Sequence, residues 1–285
     1  MELPDLPAAV DEPAAHPSAG PIGVFDSGIG GLTVVAALQK LLPAEKIFYI
    51  GDTARVPYGG KSRSTIERYS VEIAGLLLAE QAKLIVVACN TASALGVPRL
   101  KKILNLPVQG VIDPGAAAAV RSTRNGRIGV IGTRATIASR AYEQAIHALS
   151  PDAEVFAEPC PVLVPLIEEA WFDDPITDQV LHRYLAPLLD EGIDTLVLGC
   201  THYPLLRAAI GRVAGEGVTL VDSAHNCALA VNDILHERGL AAPELQLGSL
   251  QVALTDATEG FLRVAEEALE LEIGDVKLRA VQAAA

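Results

Sequence analysis

Two of the four cysteines in this 285-residue chain lie in a sequence context that suits a reactive thiol. Cys89 ends the apolar run LIVVAC, Cys200 ends the similar run TLVLGC, and small polar residues follow both. An unperturbed thiol has a pKa of about 8.5, so its protonated and deprotonated forms are both accessible near neutrality. Two thiols on opposite sides of one carbon atom could remove a proton from one face and return one to the other.

The alternative is that Cys89 and Cys200 are small buried hydrophobic residues, a common role for cysteine. The matching contexts of the pair favour the chemical role. Cys160, between two prolines, and Cys227, in an alanine-rich segment, lack this context and are interpreted as structural. The four cysteines lie far apart, and the first twenty residues do not resemble an export signal. We therefore expect free thiols in a reducing compartment, the cytoplasm.

A metal site is one competing interpretation. It would use Cys-x-His and His-x-Cys pairs at Cys200, His202, His225 and Cys227. The spacing of these residues matches no familiar structural zinc pattern, so we expect no metal.

A dinucleotide site is a second competing interpretation, because the glycine-rich turn 26–31 follows the first apolar run. Asp52 lies about where a dinucleotide fold would hold its ribose. The motif fails because Thr33 occupies its final glycine position, and Asp26 would put a carboxylate against the pyrophosphate. We expect no cofactor, and we interpret Asp26 as a group that binds an amine or assists a base. Helix capping is the alternative for Asp26.

Short β-branched runs alternate with longer helical segments along the chain. Strands are predicted at 22–25, 46–51, 84–89, 107–112, 127–132, 153–157, 195–200 and 218–222. Helices are predicted between them, for example at 33–42, 64–81, 135–149 and 177–191. Continuous apolar strands that alternate with helices are typical of parallel sheets covered on both faces, so the predicted fold class is α/β.

The two halves of the chain resemble one another. The tripeptide Ile-Gly-Val begins the first set of strands at 22–24 and the second set at 128–130, and each set leads to a strand that ends in cysteine. We infer an internal duplication that gives two pseudo-symmetric domains. Because ligands bind at the carboxyl ends of parallel strands, two facing domains would place Cys89 and Cys200 across one cleft.

The domain boundaries follow from this repeat. The first domain is expected to comprise 21–113 together with 225–285, and the second 114–224. Residues 225–285 are expected to be largely helical and to pack on the first domain, and residues 1–20 to be disordered.

The charge balance argues against two classes of partner. The chain has 22 Lys and Arg against 35 Asp and Glu, a formal net charge of −13. No basic patch for phosphates is apparent, so we expect no nucleic acid partner. No apolar run approaches the length of a membrane span, so we expect no membrane association. Local N–H donors could still bind a small anion.

Four motifs, in order, resemble those of the glutamate racemases of bacterial cell-wall synthesis. They are VFDSGIGGLTV (24–34), DTARVPYGGKS (52–62), VACNTASA (87–94), and GCTHYPLL (199–206) followed by VDSA (221–224). The resemblance implies two pseudo-symmetric α/β domains that enclose glutamate. It also implies cofactor-independent interconversion of L- and D-glutamate, and a role in peptidoglycan synthesis, cell-wall biogenesis and cell shape.

The resemblance further implies the site residues. Cys89 would act on the D enantiomer and Cys200 on the L enantiomer. The groups that would assist the thiols are Asp26, Glu168 and His202. The residues that would bind substrate are Asp26, Ser27, Tyr58, Gly59, Asn90, Thr91, Thr201 and His202. Glu168 lies in a less distinctive segment, where a solvated helix face is the alternative.

Other functions stay open on the sequence. Aspartate racemases and related racemases share the paired-cysteine arrangement, so aspartate or a related amino acid is the alternative substrate. Outside the enzymes, the alternative is a regulatory binding protein, for example of gyrase. The resemblance also leaves a homodimer open.

Overall fold

Helices and parallel strands alternate through the computed structural model, which describes residues 17–243, 246–256 and 276–281. The strands are β1 (Ile22–Asp26), β2 (Lys46–Gly51), β3 (Leu84–Val87), β4 (Val108–Gly110), β5 (Arg127–Gly132), β6 (Glu154–Pro159), β7 (Thr195–Gly199), β8 (Thr219–Asp222), β9 (Ser249–Leu254) and β10 (Val276–Leu278). The helices are α1 (Leu32–Leu41), α2 (Arg63–Ala79), α3 (Asn90–Leu95), α4 (Val97–Ile103), α5 (Ile112–Ser122), α6 (Arg134–Ala138), α7 (Ala141–Leu149), α8 (Leu163–Glu168), α9 (Pro175–Asp190), α10 (Arg207–Ala214) and α11 (Ser223–Glu237). None of these helices is both long and apolar enough to cross a membrane.

The strands form two sheets. The six-stranded sheet has the order β10-β9-β2-β1-β3-β4, and the four-stranded sheet has the order β6-β5-β7-β8. All the pairings in both sheets are parallel. The α/β prediction is confirmed, and a strand lies at each of the eight predicted positions. The order β2-β1-β3-β4 in one sheet matches β6-β5-β7-β8 in the other, as an internal duplication requires.

The alternation of side chains along a strand explains why the first sheet is covered on both faces. In β1, Ile22 and Val24 lie in a buried cluster with side chains of α1 and α11. Phe25, on the opposite face, lies in a cluster with side chains of α2 and α4. Because successive residues of a strand point to opposite faces, a continuous apolar run serves two hydrophobic cores at once. A third cluster joins the second sheet to α8, α9 and α10.

The C-terminal segment differs from the sequence prediction. Helix α11 packs against α1, but β9 and β10 are strands, so the prediction that 225–285 is largely helical is wrong there. Strand β9 pairs with β2 over six residues, and β10 extends the sheet beyond it. An edge strand leaves backbone donors and acceptors unpaired, and β9 satisfies those of β2. The parts of that prediction at 244–245, 257–275 and 282–285 lie outside the described residues.

Two local features also differ from expectation. The predicted helix 135–149 is divided into α6 and α7, because Arg140 has a φ of 56°, in the left-handed region. At the N-terminus, a short 3-10 turn spans Pro17–Ala19, and the carbonyl of Ser18 accepts a hydrogen bond from Lys83 Nζ at 3.1 Å. The predicted disorder of residues 1–16 lies outside the described residues.

A buried ion pair between Lys83 and Glu45 connects several segments next to the first sheet. Lys83 Nζ lies 2.5 Å from Glu45 Oε2, and the side chains are only 2% and 4% exposed. Glu45 Oε1 also accepts the backbone N–H of Ala242 at 2.7 Å. The pair thus links β3, the loop before β2, the N-terminal turn at Ser18 and the segment after α11.

Replacing Lys83 by methionine leaves the Glu45 carboxylate buried without its cation. We expect Lys83→Met to lower the free energy of unfolding by about 3 kcal/mol, as for other broken buried pairs. Urea unfolding followed by circular dichroism measures this. The matched control is Arg63→Met, because Arg63 is 57% exposed in its pair with Glu67 and should contribute under about 1 kcal/mol. If the two substitutions lower the free energy of unfolding equally, the buried pair contributes no more to stability than the exposed pair.

Candidate active site

The carboxyl ends of the two sheets meet at one cleft, which contains about 330 Å³ of empty space with its mouth included. Cys89, after β3, and Cys200, after β7, both line it. The full lining is Ser27, Val56, Pro57, Tyr58, Gly59, Cys89, Asn90, Thr91, Thr133, Val164, Cys200, Thr201 and His202. The two cysteines singled out by the sequence are therefore brought to a single cavity.

All but two of the site residues named from the sequence line this cleft. The exceptions are Asp26 and Glu168, which are not among the lining residues. Asp26 is completely buried, whereas the Glu168 side chain is 42% exposed and its Oε1 lies 3.7 Å from His202 Nε2. Both therefore contact groups of the lining without facing the cavity.

Cys89 immediately precedes α3, and its carbonyl accepts the first helical hydrogen bond from Ser93. Its thiol lies 3.9 Å from Ser27 Oγ. Burial raises the pKa of this thiol well above its usual range, the Asp26 carboxylate raises it further, and the backbone N–H of Ala92 only partly opposes them. The N–H groups at the start of α3 favour a thiolate, but desolvation and a neighbouring negative charge outweigh them.

Cys200 has a different environment. Its Sγ lies 3.8 Å from His202 Nδ1, and His202 Nε2 lies 3.7 Å from Glu168 Oε1. Burial lowers the pKa of His202, but the hydrogen bond to Cys200, the Glu168 carboxylate and the charge of Asp26 together raise it to about 10. Protonated His202 therefore places a positive charge beside Cys200 at neutral pH.

The backbone after Cys200 also departs from the prediction of a setting equivalent to that of Cys89. A 3-10 turn, Tyr203–Leu206, intervenes before α10 begins. The Tyr203 side chain is buried in the core of the second sheet, and its hydroxyl donates to the carbonyl of Cys160 at 2.8 Å. This anchoring holds the segment in the tighter turn.

Asp26 organises the glycine-rich turn after β1. Its Oδ2 accepts the backbone N–H groups of Gly28 at 3.1 Å and Gly31 at 2.9 Å, and its Oδ1 lies 3.4 Å from Thr201 Oγ1 in the other domain. Burial raises the pKa of Asp26 against the opposing effects of His202 and these N–H groups. The N–H groups that would bind a pyrophosphate are already occupied, so the dinucleotide interpretation does not fit the turn.

Asp52 holds the second loop of the cleft. Its buried carboxylate accepts hydrogen bonds from the Tyr58 hydroxyl, from Arg55 Nε at 2.7 Å and from Thr255 Oγ1 at 2.9 Å. These bonds fix the loop that brings Pro57, Tyr58 and Gly59 to the cavity, and they leave Asp52 committed to the loop. Gly59 is needed there, since a Cβ would lie 2.6 Å from Thr133 Cβ.

Four lining residues are not among those named from the sequence: Val56, Pro57, Thr133 and Val164. Thr133 is the most polar of them, and its Oγ1 lies 2.9 Å from Thr91 Oγ1 and 3.0 Å from Thr136 Oγ1. The internal repeat carries a signal for it, because Thr133 in IGVIGT occupies the position of Ser27 in IGVFDS. Each of the two residues comes directly after the first strand of its repeat, Ser27 after β1 and Thr133 after β5.

The four residues of the alternative zinc site, Cys200, His202, His225 and Cys227, are not grouped in the structure. Cys227 is buried in the core between α11 and the first sheet, whereas Cys200 belongs to the core of the second sheet. His225 is exposed. Within the described ranges, no three His, Cys, Asp or Glu side chains are grouped so that they could hold a metal ion.

Two parallel-sheet α/β domains with a thiol from each at a shared cleft define the class of protein, and comparisons identify its family. The family model described as Asp/Glu/Hydantoin racemase matches residues 22–231. A glutamate racemase of Geobacter metallireducens is 50% identical over 255 residues, which cover 90% of this chain and 94% of that protein.

Solved structures agree with the sequence comparison. The crystal structure of a Bacillus anthracis glutamate racemase isoform has a TM-score of 0.87 and 40% identity, covering 93% of this chain and 98% of that one. A Francisella tularensis glutamate racemase in complex with D-glutamate has a TM-score of 0.87 and 37% identity, with the same coverage of both chains. The chain belongs to the Asp/Glu/Hydantoin racemase family and is an amino-acid racemase.

The close approach of the two domains at Gly30 gives a direct test of the cleft. A Cβ at this position would lie 2.5 Å from both Thr201 Oγ1 and His202 Nδ1. We expect Gly30→Ala to lower kcat/KM for racemisation about a hundredfold, because displacing catalytic groups by about 1 Å is this costly. The matched control is Gly217→Ala, whose Cβ would meet nothing within 4 Å. Steady-state polarimetry measures both, and near-normal activity of Gly30→Ala would refute the tight contact.

Proposed function

We propose that this chain interconverts L- and D-glutamate without a metal, a nucleotide or pyridoxal phosphate. The observation that carries the proposal is that Cys89 and Cys200 line one cleft, each from the strand ends of a different sheet. The substrate is inferred from the names of the relatives and from the D-glutamate complex of one of them. The D-glutamate formed would supply peptidoglycan synthesis in the cytoplasm, and thereby cell-wall biogenesis and cell shape.

Mainly neutral donors would bind the two carboxylates of glutamate, with protonated His202 beside them. Among the described residues that line the cleft, none is lysine or arginine. Hydroxyls are available from Ser27, Thr91 and Thr133, and the buried Nδ2 of Asn90 has no hydrogen-bond partner in the described part of the chain. A buried donor without a partner costs free energy, which a substrate carboxylate would recover. Tyr58-Gly59 and Thr201-His202 complete the proposed substrate contacts.

The proposed reaction is a proton transfer across the α-carbon. One thiolate takes the α-proton, so a C–H bond breaks, an S–H bond forms and the electron pair stays on carbon. The opposite thiol then protonates the other face of the carbanion and becomes a thiolate. Cys89 would deprotonate the D enantiomer and Cys200 the L enantiomer, with both thiols placed about 3–3.5 Å from the reacting atoms.

Nearby charges would tune the two thiols. The substrate ammonium would offset the Asp26 carboxylate and so lower the raised pKa of Cys89, because a nearby positive charge favours the thiolate. Protonated His202 would do the same for Cys200, with Glu168 holding the imidazolium. Asp26, Glu168 and His202 are thus proposed to assist the thiols from behind the cavity lining or at its edge.

We also propose domain boundaries, which follow from the internal repeat. The first domain comprises 21–113 with 225–285, and the second comprises 114–224. Supporting this, β9 and β10 extend the sheet of β1–β4, while β5–β8 form their own sheet.

Racemisation in heavy water tests both the substrate and the opposed thiols. After exhaustive dialysis, the pure protein should abolish the optical rotation of D- or L-glutamate without any added cofactor. Each thiol faces one side of the α-carbon and exchanges its proton with solvent. Deuterium should therefore enter the product enantiomer from the start and the remaining substrate much more slowly, as measured by chiral separation and mass spectrometry.

Three results would contradict this. Activity that returns only with pyridoxal phosphate would remove cofactor independence. Turnover of aspartate but not of glutamate would favour the alternative substrate. Equal early labelling of substrate and product would favour a single base that serves both faces.

The individual thiols are tested by serine substitution. Cys89→Ser and Cys200→Ser should each lower kcat at least about a hundredfold, since general acid–base groups contribute about 10²–10⁴-fold. The matched controls are Cys160→Ser and Cys227→Ser, which should keep most of the activity. Neither control lines the cleft, because Cys227 is buried in the core between α11 and the first sheet and Cys160 in the core of the second sheet. Near-normal rates in both Cys89→Ser and Cys200→Ser would exclude the two-thiol mechanism.

A further inference from the structure

Tyr142 reaches from the second residue of α7 to a residue of the cleft. Its side chain is 3% exposed, and its hydroxyl donates to Asn90 Oδ1 at 2.7 Å. The same hydroxyl lies 3.5 Å from Ser223 Oγ, at the start of α11. No sequence motif of the site includes Tyr142, and it does not line the cavity.

The bond from Tyr142 fixes which end of the Asn90 amide faces the cleft. The amide of asparagine is planar, with its oxygen acceptor and its NH₂ donor on opposite sides. Oδ1 is committed to the Tyr142 hydroxyl, whereas the buried Nδ2 has no hydrogen-bond partner among the described residues. Since Asn90 lines the cavity, its free end is the donor that a ligand there can use.

The opposite orientation of the amide would change the chemistry of the cleft. A flipped Asn90 would donate Nδ2 to the Tyr142 oxygen and present a carbonyl, which repels a carboxylate. The Tyr142 proton would then have to be donated to Ser223 Oγ at 3.5 Å instead of Asn90 at 2.7 Å. The 2.7 Å separation matches the usual length of an O–H···O bond, whereas an N–H···O bond is usually about 2.9–3.0 Å long, so the geometry fits the donor-inward orientation.

Close packing prevents the phenol from moving away. A Cβ at Gly115 of α5 would lie 3.1 Å from the Tyr142 hydroxyl, and one at Gly199 would lie 3.1 Å from its Cε2. Gly199 is the residue directly before Cys200. Both glycines therefore leave space that the tyrosine ring fills, and the ring contacts the strand that carries the second thiol.

We propose that Tyr142 is a positioning residue that holds the Asn90 amide with its NH₂ directed at a carboxylate of the substrate. This inference rests on the proposed function, in which glutamate occupies the cleft. Tyr142 acts only through Asn90 and contacts no reacting atom.

A double-mutant cycle tests the role. Tyr142→Phe keeps the ring and removes the hydroxyl, so kcat/KM for glutamate should fall about tenfold, mainly through a higher KM. In an Asn90→Ala background, the same substitution should change kcat/KM less than about twofold, because coupled residues are not additive. An equal tenfold loss in both backgrounds would overturn the proposal.

A control separates this role from lost stability. Thr177→Val also removes one buried hydroxyl hydrogen bond, from Thr177 Oγ1 to the carbonyl of Trp171 at 2.7 Å, and keeps the side-chain shape. It should lower the thermal midpoint about as much as Tyr142→Phe while leaving the KM for glutamate within about twofold. A comparable rise of KM in this control would overturn the positioning role.

A spectroscopic readout works without turnover. The chain has five asparagines, so selective ¹⁵N-asparagine labelling resolves their side-chain NH₂ signals. Tyr142→Phe should shift the Asn90 pair and leave the other four in place, because the aromatic ring is retained. Unchanged Asn90 signals would overturn the proposal. Wild-type protein that fails to racemise glutamate would overturn the proposed function instead, and the signals would still decide whether Tyr142 orients Asn90.

Discussion

The buried carboxylate of Asp26 is the interaction on which the geometry of the cleft depends. It ties the turn after β1 through Gly28 and Gly31, and it lies against Thr201 of the opposite domain. Thr201 is placed between Cys200 and His202 in the chain, so the contact also sets the position of the second thiol loop. A buried carboxylate is costly unless its acceptors are satisfied, and here backbone N–H groups satisfy them. The domains can approach closely only because Gly30 has no side chain.

Two thiols in one cleft have different electrostatic surroundings. Cys89 lies near the Asp26 carboxylate, which together with burial favours its protonated form. Cys200 lies beside His202, whose raised pKa makes it a cation at neutral pH. A proton transfer across a carbon atom needs one acid and one base at the start, and environments that differ in charge provide this asymmetry. The proposed mechanism therefore uses a difference that the pseudo-symmetric fold does not impose by itself.

Neutral groups dominate the lining of the cleft, and their orientation is set by residues outside it. Asp52 fixes the loop that carries Tyr58, and Tyr142 fixes the amide of Asn90. Such supporting contacts hold donors in place before a ligand arrives, so little reorganisation is needed on binding. Asp26 and Glu168 do not line the cavity, so protonated His202 is the charged side chain among its described lining residues.

The sequence by itself determined the strands of both repeats and the equivalent positions of Cys89 and Cys200 at strand ends. Apolar runs and the residues that end them are local patterns. It also contained the signal for Thr133, through its equivalence to Ser27 in the repeat. Eight strands lie where these patterns predict them. Parallel topology then follows from the alternation with helices, since crossover connections require it.

Tertiary structure alone decided the features that depend on residues far apart in the chain. Strand β9 forms because β2 offers an unpaired edge about two hundred residues earlier. The pKa of Cys89 rises because burial and Asp26 outweigh the local helix start. The bond from Tyr142 to Asn90 joins segments 52 positions apart, and no local pattern encodes it. Local sequence specifies elements, whereas desolvation and long-range contacts specify the electrostatics and orientation of the site.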